Sequence, residues 1–133
     1  MADGRDKRIH KRVPDSFMAL YQVKTPFELY IRLKDKQCDG IADDISEGRL
    51  ALSTSHDIPS GAILALKFTL FNDAAVTDKG HSHKFELDGE VRYSEMVKNN
   101  EYRLGIRFVK VPDAEREFIV HYVRTQVLRG RLG

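Results

Sequence analysis

Between about residue 17 and residue 110 the chain keeps alternating apolar and polar positions with a period of two, which marks strands that bury one face. In KFELDGEVRY, Phe85, Leu87, Val91 and Tyr93 fall on one face, and Glu86, Asp88, Glu90 and Arg92 fall on the other. Gly89 occupies the apolar register there, which points to a bulge, a bend or a close neighbour. The same alternation assigns strands to FELYIRL through Phe27, Leu29, Ile31 and Leu33, and to ALKFTLF through Leu64, Leu66, Phe68 and Leu70. YRLGIRF follows suit through Leu104, Ile106 and Phe108. Breaks at 24–26, 34–36, 55–61, 72–80 and 97–100 are short, so successive strands become antiparallel neighbours. Six or so such strands in under a hundred residues are better closed into a small barrel than left with open edges. After VPD the period changes. DAEREFIVHYVRTQVLRG sets Ile119, Tyr122, Val123 and Val127 on one helical stripe, with Asp113, Glu115 and Glu117 near its start and Arg124, Arg129 and Gly130 near its end. This predicts a C-terminal helix over about 113–130, laid on the barrel.

Composition narrows the picture. A length of 133 residues suits one domain, and 41% hydrophobic with 32% charged residues describes a folded, well-solvated chain and not a disordered one. The net charge of +2 hides a local basic excess, because the first twelve residues hold Arg5, Lys7, Arg8, Lys11 and Arg12 against Asp3 and Asp6. The expected organisation is a basic N-terminal arm over 1–14 and a barrel plus helix over 15–133. A single cysteine, Cys38, forms no intramolecular disulfide, and MADGRDKRIHKR lacks the apolar core of a secretory signal, so a cytoplasmic location is expected. No apolar run approaches the ~18 residues of a membrane-spanning helix, so no membrane insertion is expected.

The chemistry of individual residues points away from catalysis. No GxSxG elbow, P-loop, HExxH or CxxC pair occurs, and Cys38 has no context that marks a nucleophile. Asp43 and Asp44, adjacent on a strand, point to opposite faces and do not share a proton easily. No enzyme and no catalytic residue is therefore expected. His81 and His83 in HSH read as solvated loop residues without a second ligand cluster, so no metal site is expected.

Two stretches are more informative. Arg8 and Arg12 lie four apart, so both guanidinium forks can converge on one target, and each fork suits a phosphate or a guanine edge. Asp44 and Ser46, two apart in DISEGR, share a face and offer an acceptor beside a hydroxyl. A carboxylate accepts the ring N–H and amino group of guanine's Watson–Crick edge. Together they describe a guanine nucleotide site. Plainer alternatives exist: Asp44, Ser46 and Gly48 also suit a simple turn, and the two arginines also suit a solvating tail. Against a nucleic-acid-binding barrel stands the absence of tryptophan and of an aromatic stripe, so no nucleic acid is expected as partner.

RIHKR and DISEGR, in this order and roughly thirty residues apart, resemble the motifs of the PilZ domains. That family carries RxxxR in an N-terminal arm and (D/N)xSxxG at a strand junction, and it binds cyclic di-GMP. The resemblance extends over most of the chain, including YRLGIRF and the helix after it. It implies a mainly β fold: a six-stranded antiparallel barrel, a C-terminal α-helix and a flexible basic N-terminal arm. It further implies a receptor that uses no cofactor, in which Arg8 and Arg12 grip phosphates and guanine, Asp44 bonds a guanine edge and Ser46 helps hold the ligand. Arm closure would then signal to a protein partner in a process such as motility, biofilm polysaccharide export or pilus assembly. Lys7 falls where the family varies and where the residue is linked to binding one ligand or a stacked pair.

One position departs from the motif. Its last glycine is Arg49 here, and Gly48 comes one residue early. If that position needs φ > 0 or a bare backbone, Arg49 strains or blocks the site, and the chain is a degenerate adaptor that works by protein–protein interaction. If Arg49 extends outward it adds a phosphate contact, which makes Lys7, Gly48 and Arg49 additional ligand candidates.

Overall fold

Alternation along the strands becomes alternation of burial. In β4 (Ile63–Phe71), Leu64, Leu66, Phe68 and Leu70 are buried while Lys67 and Phe71 are exposed. The same rule operates in β1 (Phe17–Thr25) and in the first parts of β2 (Cys38–Ile45) and β5 (Ser82–Lys98), whereas β3 (Arg49–Thr54) and β6 (Glu101–Phe108) also bury Ala51 and Gly105 between their inward neighbours. These six antiparallel strands close into a barrel in the order β1-β2-β3-β6-β5-β4, so each strand finds a partner on both sides. The computed structural model describes residues 16–32, 37–71 and 82–132. The expectations for the arm, and for Lys7, Arg8 and Arg12 in it, lie outside the described residues.

The barrel interior is filled by side chains from every strand, among them Tyr21, Ile45, Leu52, Leu64, Leu104 and Ile106, none more than 2% exposed. One polar link crosses this core. The Tyr21 hydroxyl lies 2.8 Å from Thr54 Oγ1, and Thr54 Oγ1 donates to the Asp39 carbonyl oxygen at 3.1 Å. Thr54 has one hydroxyl hydrogen, so Tyr21 is the donor in the first bond. Burial pushes the Tyr21 phenol well above its ordinary value. Gly89 is glycine for want of space: a Cβ there would lie 2.5 Å from Ile106 Cγ2.

Three expectations are corrected. FELYIRL is not a strand; residues Phe27–Arg32 form a short helix, α1, between β1 and β2. Pro26 precedes it with φ already fixed and no N–H to satisfy, Glu28 favours the first turn, and over so few residues period two is weak evidence. Of the supposed apolar face, Leu29 is 4% exposed and Phe27 is 67% exposed. His83 is not a solvated loop residue. It sits on β5, its Nε2 donates to Glu115 Oε2 at 3.1 Å, and its ring lies between Phe85 and Phe118, with centroids at 4.6 and 5.3 Å. Tyr93 does not share the inward face of Phe85, Leu87 and Val91; it points outward and is 48% exposed.

The final helix, α2 (Asp113–Leu132), lies against the barrel through Phe118, Ile119 and Tyr122, all buried, with Val123 partly buried beside them. Phe118 meets Phe85 edge-on at 5.8 Å, and Phe85 stacks on Phe68 at 5.0 Å, so an aromatic cluster joins helix to barrel. No helix among the described residues is long and apolar enough to cross a membrane.

Candidate functional site

The outer wall of β2, β3, β6 and β5 carries a cleft of about 1020 Å³, bordered by α2 at Val123. Its geometry follows from two bulges. Asp43 is an extra residue in β2, between Ala42 opposite Leu52 and Asp44 opposite Ala51. Arg92 is an extra residue in β5, between Val91 opposite Ile106 and Tyr93 opposite Gly105. Ala42 and Val91 point inward and are fully buried, so strict alternation would turn Asp44 and Tyr93 inward as well. One inserted residue in each strand reverses that, and both side chains emerge on the outer face.

They emerge in the same row. Asp44, Ala51, Gly105 and Tyr93 are successive cross-strand partners on β2, β3, β6 and β5. The two middle members have almost no side chain, so the row forms a groove with a backbone floor, an acid at one wall and an aromatic ring at the other. Gly105 is essential to this shape: a Cβ there would come 2.0 Å from the Tyr93 ring and within 2.5 Å of two further ring atoms. The ring therefore lies over the Gly105 backbone, and Tyr93 stays half-exposed.

Arginines line the same cleft. Arg103 Nη1 donates to both carboxylate oxygens of Asp43 at 3.0 Å, with the two side chains 18% and 30% exposed. Burial works against the Arg103 charge, but the Asp43 carboxylate outweighs it and Tyr93 adds in the same direction, so the guanidinium is held above its ordinary value. Asp43 is thus paired with Arg103, and Asp44 lines the cleft beside it. At the opposite rim, Arg107 Nη2 and Arg92 Nη1 each donate to Glu90 Oε1 at 3.2 Å. The Arg107 bond, followed by that of Arg92, holds the Glu90 carboxyl below the usual glutamate range.

DISEGR closes the β2–β3 turn that ends the groove. Ser46 N–H donates to the Arg49 carbonyl at 2.9 Å, and Phe108 N–H donates to the Gly48 carbonyl at 2.9 Å. Asp44, Ser46 and Arg49 all line the cleft, whereas Gly48 does not. Among the described residues only Asn100 and Gly61 take φ in the left-handed region, so Arg49 opens β3 without backbone strain. Glu47 of this turn lies 3.6 Å from Arg116 of α2, an exposed ion pair that links turn and helix.

Sequence reasoning missed Tyr93, Arg92, Arg103 and Arg107 as cleft residues. The outward positions of Arg103 and Arg107 in YRLGIRF were legible, because Arg103, Gly105 and Arg107 alternate with buried Leu104 and Ile106. A smaller depression of about 430 Å³ lies at the other end of β3, where Met18, Ile41 and Ser53 accompany Asp39 and Glu101 and no arginine is present. Among the described residues no group of three or more His, Cys, Asp or Glu is placed to hold a metal ion.

The comparisons with known proteins agree on one fold. Residues 6–125 match the model of the PilZ domain. The inhibitor of motility MotI/DgrA from Bacillus subtilis is similar in structure, with a TM-score of 0.67 and 15% identity over 93% of this chain. This chain spans 53% of that protein. The PilZ domain of YcgR from Escherichia coli, in a structure with c-di-GMP, gives a TM-score of 0.59 and 12% identity, covering 94% of this chain and 95% of that one. No curated protein sequence matches.

Proposed function

The chain belongs to the PilZ domain family, and we propose that it is a non-catalytic receptor for cyclic di-GMP that reports ligand binding to a protein partner. The observation that carries this reading is the outward row Asp44–Ala51–Gly105–Tyr93, an acid and a half-exposed ring that covers Gly105, with only the small Ala51 between them. In the proposed complex a guanine base enters over Ala51 and against the Tyr93 ring. The Asp44 carboxylate accepts its ring N–H and amino hydrogens, and Tyr93 stacks on its plane. Ser46 supplies a hydroxyl at the edge of the same groove.

Charge-assisted hydrogen bonds are worth about 1.5–3 kcal/mol each, and a stacked base about 1–3 kcal/mol, so base recognition and phosphate capture contribute comparably. Phosphate capture falls to Arg8 and Arg12 of the arm, with Lys7, Gly48 and Arg49 as further candidates. Arm closure over the cleft then alters the surface offered to the partner, since the ligand favours the closed form by its added contacts. The structure of the E. coli domain with c-di-GMP supports the ligand class, and the motility role named for the Bacillus neighbour makes a motility protein the first partner to test. A cytoplasmic location belongs to the same proposal, because the ligand is made and read inside cells.

The test is a calorimetric titration with cyclic di-GMP at physiological salt. Micromolar or tighter binding is expected, abolished by Arg12→Ala and by Asp44→Ala and not reproduced by the adenine analogue. Absence of heat and of any thermal shift at ~100 µM ligand would instead assign the degenerate adaptor, which binds protein alone. Binding to arbitrary DNA with steep salt dependence would assign a nucleic-acid barrel.

A further inference from the structure

Like charges directly opposite one another on neighbouring strands repel and weaken a sheet. Arg49 of β3 and Arg107 of β6 are such a pair: they are cross-strand partners, both exposed, and both line the cleft. Side chains in this relationship leave the sheet on one face, with Cβ atoms about 4.5–5.5 Å apart. Glu90 relieves only part of the repulsion. Its Oε1 accepts from Arg107 and from Arg92, while Arg49 has no carboxylate partner among the described residues. The rim therefore sets three guanidinium groups against one carboxylate, Glu90.

We propose that Arg49 and Arg107 form a phosphodiester clamp on the barrel wall, which takes one phosphate of the bound cyclic dinucleotide independently of the arm. The inference rests on the receptor reading above and adds a site to it. A bridging anion turns the repulsion of the pair into two attractions, and the planar fork of each arginine matches phosphate oxygens bidentately. Glu90 engages Arg107 through Nη2, and the remaining N–H groups of that guanidinium stay available to a ligand. Arg49 stands two residues from Ala51 along β3, about 7 Å from the groove floor beside Asp44, within the span between the base and phosphate of one nucleotide. The arginine in place of the motif glycine is thereby a gain of contact. Glycine at position 49 offers no such group.

Calorimetry with cyclic di-GMP on the wild type, Arg49→Gly and Arg107→Gln decides it, with thermal melting to verify that each variant is folded. The clamp predicts that each substitution weakens binding about ten- to a hundredfold and flattens the salt dependence, and that Arg49→Lys recovers only part of the loss. Wild-type binding that Arg49→Gly leaves unchanged or tightens overturns the clamp and leaves the receptor reading intact. Binding gained only in Arg49→Gly overturns the clamp as well and identifies Arg49 as an obstruction. No binding by the wild type or by Arg49→Gly overturns both.

Discussion

Asp44 and Tyr93 face one another on the outer wall of the barrel across Ala51 and Gly105, and each follows a strand bulge that turns it outward. The pairing is a product of register. Were the same residues paired without the bulges, strict alternation would send the acid and the ring toward the core, so the groove depends on two interruptions of the pattern that builds the barrel.

Gly105 and Gly48 separate space from conformation. A methyl group at Gly105 collides with the Tyr93 ring, whereas one at Gly48 meets nothing within 4 Å. Gly105→Ala is expected to cost about 1–3 kcal/mol of stability by urea titration and to shift the Tyr93 ring resonances. Gly48→Ala is expected to stay within about 0.5 kcal/mol of wild type.

The Asp43–Arg103 pair braces the floor of the cleft. With Asp43→Ala, Arg103 keeps a largely buried charge without its carboxylate. Destabilisation of about 1.5–3 kcal/mol is expected in urea, and replacing Arg103 by Met in the same chain should recover part of it.

Tyr21 predicts an alkaline limit. Its folded-state pKa lies above the ordinary 10.0, so the folded chain holds the phenol proton more tightly than the unfolded one. The associated stability is fully present below pH 10.0 and is lost as pH rises from there toward the folded value. Tyr21→Phe should cost about 1 kcal/mol at neutral pH and flatten the decline of urea midpoints above the ordinary value.

Glu90 titrates the other way. Its carboxyl is held below the ordinary 4.5 by Arg107 first and then Arg92, so the link survives acidification through 4.5 and breaks only as pH falls through the lowered value. The NMR titration of its side-chain carboxyl carbon should show a midpoint below 4.5, moving back toward it in Arg107→Ala.

Much of this was legible in the chain. Alternation located the strands at Leu64–Leu70 and Leu104–Phe108, and the change of period at VPD located α2, because burial on one face imposes those periods directly. Asp44 and Ser46 were legible as cleft residues from DISEGR. Tyr93 was not: a bulge leaves no mark in an alternating pattern, and an aromatic residue two positions after buried Val91 reads as core. The α1 helix escaped for a similar reason, since six residues whose apolar positions alternate fit a strand as well as a turn and a half of helix. Arg103 and Arg107 were visible as outward residues. Their convergence with Arg49 and Arg92 required the β3-β6-β5 order, which no local pattern encodes.

Whether guanine occupies the groove between Asp44 and Tyr93 is decided by intermolecular nuclear Overhauser effects in the complex with cyclic di-GMP. Contacts are expected from the guanine H8 and ribose protons to the Ala51 methyl group and the Tyr93 ring. Contacts confined to Met18 and Ile41 in the acidic depression, or no complex at all, would contradict it.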